Sequence, residues 1–125
     1  MVGLTHMIQK NRGFTRVVKA GFYSYKGLIA AFKNEAAFRQ ELGAALVLIP
    51  LAFWLDVTKL ERIVLVSTVL MVLIVELLNS GIESVVDRVG YEHHELAGRA
   101  KDLGSAAVLL SLILWLFVWV GIVFF

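Results

Sequence analysis

Residues 63–86 read IVLVSTVLMVLIVELLNSGIESVV, and how this stretch is read decides the fold. Ile63 to Val75 carries no charge. Glu76, Asn79, Ser80 and Glu83 follow, with Asp87 one turn further on. At about 1.5 Å per residue, a helix over 63–86 crosses the roughly 30 Å of a bilayer's hydrocarbon. At about 100° per residue, positions 76, 79, 80, 83 and 87 share an arc of roughly 100° on one face. Leu77, Leu78 and Val85 take the opposite face. A carboxylate in a membrane helix costs about 2.5–3.5 kcal/mol on insertion scales. Glu76 and Glu83 must therefore face protein, water or a ligand, not lipid.

The rest of the chain agrees with a membrane reading. It has 125 residues, 59% of them apolar, with a mean hydropathy of +0.81. That is too apolar for a soluble domain of this size. Three helices from one subunit cannot cover so many intramembrane polar groups, so an oligomer is expected. Cysteine is absent, which excludes disulfides, thiolate zinc sites and cysteine nucleophiles. No continuous apolar core before residue 33 resembles a signal peptide, so insertion by the chain's own spans is expected.

Residues 14–33 have apolar side chains at spacings of three and four: Phe14, Val17, Val18, Tyr25, Leu28, Ile29 and Phe32. Arg16, Lys19, Tyr23, Lys26 and Lys33 fill the other face. This pattern predicts an amphipathic helix lying at the membrane surface. A first span is expected over 36–55, with Arg39, Gln40 and Glu41 drawn in near one end and Pro50 bending it. Residues 56–62 read as a turn, 63–86 as the second span, 87–101 as a loop of mixed charge, and 102–123 as the third span. Trp54, Trp115 and Trp119 read as interfacial anchors on one side. Ser105 and Ser111 read as packing residues. The fold class is thus all-α: a surface helix and three transmembrane helices in a single domain, 1–125.

Ten basic residues fall in the N-terminal segment and the 87–101 loop, against Lys59 and Arg62 in the 56–62 turn. The positive-inside rule then places the N-terminus and the polar ends of the spans in the cytoplasm, where ATP is available.

No G-x-x-x-x-G-K-[ST] is present, and residues 98–104 carry two glycines at the wrong spacing for a phosphate loop. His93 and His94, between Glu92 and Glu95, read from spacing alone as a solvated loop. Three meanings fit the polar stripe. It could fix helix register, carry protons or ions in a small conducting subunit, or hold a metal and phosphates. Two carboxylates and an amide on one face, with Lys101 and Asp102 at the mouth of the next helix, favour the third. Mg²⁺ takes oxygen ligands and commonly uses one or two carboxylates plus substrate phosphates.

Residues 76–88, ELLNSGIESVVDR, resemble the signature of the prokaryotic integral-membrane diacylglycerol kinases. Residues 94–108, HELAGRAKDLGSAAV, are similar to a second block of that family, as are 34–41 (NEAAFRQE) and 54–56 (WLD). The similarity runs from about Phe14 to Val120. The segment before Gly13 differs, and Gly81 stands where alanine is more usual. The resemblance implies a homotrimer with active sites shared between subunits in a bacterial inner membrane. It implies transfer of the γ-phosphoryl group of MgATP to diacylglycerol; the motifs do not discriminate well against undecaprenol. It implies that Glu76 is the base and that Asn79 positions base and substrate. Glu35 and Glu83 would hold Mg²⁺ and the triphosphate. Arg16, Tyr23, Glu92, His94, Lys101 and Asp102 would contact nucleotide, and Arg16, Glu41, Glu76 and Lys101 the lipid.

Overall fold

A computed structural model describes the backbone of residues 2–90 and 95–125 and the side chains of residues 12–90 and 95–125. Four helices run in chain order: α1 (Val2–Asn34), α2 (Ala36–Trp54), α3 (Lys59–Val89) and α4 (Glu95–Phe124). Among the described residues there is no strand. The chain divides into two compact units, Met1–Asn34 and Glu35–Phe125.

The first unit is one helix, and it starts at Val2 rather than near residue 14. No proline interrupts residues 2–13, and a glycine such as Gly13 costs a helix only about 1 kcal/mol. Along it Phe14, Val17, Phe22 and Tyr25 are exposed. Lys26 Nζ lies over the Phe22 ring, 5.4 Å from its centroid.

In the second unit α2, α3 and α4 are each long and apolar enough to cross a membrane. α3 packs against both α2 and α4. The core joins Ala45 and Ala52 of α2, Leu65 and Val69 of α3, and Trp119 of α4. The two alanines let the helix backbones approach closely, which is how apolar helices gain packing energy when lipid is as apolar as their side chains. Leu110, Ile113 and Phe117 of α4 face outward, an exterior suited to hydrocarbon. α2 runs without interruption through Pro50.

Both later spans are longer than their apolar runs. α3 begins at Lys59, inside the expected turn, because Thr58 and Glu61 close a capping box. Glu61 N–H donates to Thr58 Oγ1 at 3.1 Å, and Thr58 N–H donates to Glu61 Oε1 at 2.9 Å. Such a cap is worth about 1 kcal/mol. α3 ends at Gly90, whose φ of 91° is the left-handed cap conformation that glycine adopts without steric cost. α4 begins at Glu95, not 102, so most of the expected 87–101 loop is helical. Ala97 and Ala100 favour helix there, and Arg99 pairs with Glu95 across one turn at 3.9 Å. Lys101 and Asp102 therefore stand on the second turn of α4 rather than at its mouth.

Two side chains have structural duties that their residue types did not announce. Arg62 donates to the carbonyls of Ala52 (3.0 Å), Leu55 (3.1 Å) and Val57 (3.4 Å). It thereby satisfies the C-terminal end of α2, where carbonyls lack helical partners. Trp119 is buried, 7% exposed, rather than anchoring at an interface. Its indole N–H is shared between Leu65 O and Thr68 Oγ1, each at 3.2 Å. Thr68 in turn donates to Leu65 O at 2.8 Å. That network gives the indole a partner inside the bundle, so burial is favoured over the membrane surface. Ser111 packs as expected, buried and donating to Val108 O at 2.7 Å.

Candidate functional site

The polar end of α3 is the centre of the site. Glu76 (5% exposed) and Asn79 (9% exposed) are buried. Ser80 and Glu83 are half-buried, and Asp87 is exposed. The helical period places all five on one side, and the bundle grades their burial from the deep end outward. Seven residues at 1.5 Å each put Glu76 roughly 10 Å along the helix from Glu83.

Two further carboxylates, Glu35 and Glu41 of α2, lie within electrostatic range of the stripe. Glu76 feels the charges of both Glu83 and Glu35, and Glu41 feels that of Glu76. Glu35 is the N-cap residue of α2, yet its side chain makes no capping bond, which leaves its carboxylate available to a ligand. Glu41, one turn and a half into α2, borders a cavity whose other walls are apolar, Ala44, Leu48, Val69, Val72 and Trp115 among them. Its Oε2 is buried without a hydrogen-bond partner. Like charges held together at the end of a membrane bundle repel one another and favour a cation between them.

Asn79 connects this cluster to α4. Its Nδ2 donates to Glu83 Oε1 at 3.3 Å, fixing one oxygen of that carboxylate. Its Oδ1 is buried without a partner, as is Ser80 Oγ. α4 contributes Lys101, whose Nζ donates to Asp87 Oδ1 at 3.1 Å. α4 also contributes Gly104, whose missing side chain leaves room for the Asn79 amide.

No three His, Asp, Glu or Cys side chains among the described residues close around a metal position. A magnesium ion does not require that, since it keeps waters and takes phosphate oxygens as ligands. The donor set fits such an ion: hard carboxylate oxygens, one steadied by an amide, in a cluster with excess negative charge.

α2 and α3 thus place Glu35, Glu41 and Glu83 within electrostatic range of Glu76, and Asn79 bonds to Glu83. Lys101 joins through Asp87, a residue given no separate role in the sequence reading, and Asp102 is exposed on the same helix. Arg16 and Tyr23 lie exposed on α1. Glu92 and His94 fall outside the described residues. Gly104 was missed because a glycine in an apolar helix carries no signal until its neighbour is known.

A model of the family described as prokaryotic diacylglycerol kinase matches residues 22–123, and so covers the whole polar cluster. The chain belongs to this family. It is 57% identical over 113 residues to a diacylglycerol kinase of Escherichia coli strain K12, covering 90% of this chain and 93% of that one. A diacylglycerol kinase of Haemophilus influenzae is 53% identical over 116 residues, with 93% and 98% covered. That of Pseudomonas aeruginosa is 49% identical over 110 residues, with 88% and 89% covered.

Proposed function

We propose that the chain is a membrane lipid kinase that transfers the γ-phosphoryl group of ATP to the primary hydroxyl of diacylglycerol, giving phosphatidic acid. The observation that carries this is the buried Glu76 set among Glu35, Glu41 and Glu83 in a member of the diacylglycerol kinase family. Glu76 accepts the proton of the lipid hydroxyl as its oxygen attacks the γ-phosphorus and the bond to the β-phosphate breaks, releasing ADP. A positioned base contributes about 10²–10⁴-fold. Phosphoryl transfer otherwise depends on positioning and charge neutralisation, which this cluster can supply without a phosphate loop.

Glu35 and Glu83 would hold Mg²⁺. When bound, the ion neutralises triphosphate charge. Asn79 holds Glu83 and orients the site around Glu76. Lys101 and Asp102 meet the nucleotide, and Glu41 and Lys101 meet the lipid headgroup. Arg16, Tyr23, Glu92 and His94 are further proposed nucleotide contacts, Arg16 also a lipid one. The depth difference between Glu76 and Glu83 lets a hydroxyl approach from the hydrocarbon side while phosphates stay near water. The assembly proposed is a homotrimer with shared sites in a bacterial inner membrane, with the 14–33 segment lying at the surface and the polar cluster cytoplasmic.

Purified protein in mixed micelles with labelled ATP tests the reading. Diacylglycerol should take up label only when Mg²⁺ is present. Label that enters undecaprenol in preference would reassign the lipid. Label in no lipid alcohol would refute the kinase.

A further inference from the structure

We infer that Gly104 is a positioning residue for phosphoryl transfer, acting by leaving the space in which Asn79 is held against Glu83. The inference rests on the lipid-kinase reading, and it concerns a residue to which neither the stripe nor the family motifs assign a role. Gly104 is buried on α4, opposite the polar stripe of α3. A Cβ built on it would collide with Asn79 Oδ1 and come within 3.3 Å of Asn79 Cγ. Seven other glycines, Gly81 and Gly98 among them, have nothing within 4 Å of that position. Among these eight glycines, close approach occurs at Gly104 alone.

The collision falls on the same amide whose other end donates to Glu83 Oε1. Asn79 is buried, so its amide has few other places to go. Its Oδ1 has no hydrogen-bond donor. A methyl group at 104 would turn the amide, and Nδ2 would leave Glu83. The atom struck is the end of a side chain rather than backbone, so the bundle can absorb the change by moving Asn79. The expected damage is to the geometry of the Glu83 carboxylate, not to the fold.

The test is Gly104→Ala in the purified full chain in mixed micelles, with Gly81→Ala as the control. Gly104→Ala should lower kcat by about tenfold or more, since small misplacements of reacting groups cost up to about a hundredfold. It should raise the apparent KM for MgATP several-fold and leave the KM for diacylglycerol unchanged. The Asn79 side-chain amide resonance, assigned by its loss in Asn79→Asp, should move in ¹⁵N-labelled Gly104→Ala. Gly81→Ala should keep wild-type kinetics. An unchanged KM for MgATP, a lipid KM that rises in step, or equal damage in Gly81→Ala would overturn the inference. So would failure of Gly104→Ala to fold, which would make the glycine a packing requirement. Should the unmodified chain phosphorylate no lipid, the kinase reading fails alone. The amide resonance still tests the contact, and an unmoved resonance overturns it.

Discussion

α3 carries polar groups toward both of its ends, and the two ends treat them oppositely. Toward the start, Thr68 and the Trp119 indole close their hydrogen bonds on each other and on Leu65 O, and Arg62 closes on three carbonyls of the α2 end. Toward the finish, Asn79 Oδ1, Ser80 Oγ and the nearby Glu41 Oε2 are buried without partners. A buried polar atom left unpaired costs about 1–3 kcal/mol, so a bundle keeps several together only where something else completes them. The satisfied end holds the helices in place. The finishing end leaves three buried polar atoms open.

The sharpest way to break that contrast is Glu76→Gln. It should cut turnover by about 10²–10⁴-fold while leaving the unfolding transition in place, because the amide keeps the shape and loses only the base. Wild-type-like turnover would put the base elsewhere. Asn79→Ala comes next. Removing the partner of a carboxylate that binds metal costs about 10–100-fold in metal affinity or activity, so if Glu83 holds the ion as proposed, the Mg²⁺ titration of lipid phosphorylation should shift to higher concentration. The opposite end should respond in stability rather than chemistry. Trp119→Phe deletes the indole N–H and leaves Thr68 Oγ1 without its donor, while Leu65 O keeps the Thr68 hydroxyl, at about 1–3 kcal/mol in reversible unfolding, with the KM for MgATP unchanged. A change in that KM would show that the two ends are coupled. The smallest effect belongs to Asp87→Asn. Its bond to Lys101 joins an exposed carboxylate to a half-buried ammonium at the bundle surface, and surface pairs contribute about 0.2–1 kcal/mol, so the unfolding midpoint should barely move.

The spans, the polar stripe and the family were legible from residue types and their order. Helix ends were less so. Lys59 and Glu95 start helices because of a capping box and alanine-rich turns, and these override the charge content that reads as loop. Trp119 was misread because an indole near the end of a span suits an interface until a buried acceptor is known to lie opposite it. Gly104 and Arg62 gave no signal, since the work of each depends on a backbone or side chain distant in sequence.

The order of residues alone determined three apolar spans and one face bearing carboxylates, because hydropathy and a 3.6-residue period are local properties. Only the packed bundle decided which polar groups are satisfied. A hydrogen bond between helices needs a distance, and no spacing along one chain segment supplies it. The Trp119 network is of that kind, and the packing of Gly104 against Asn79 likewise joins two helices.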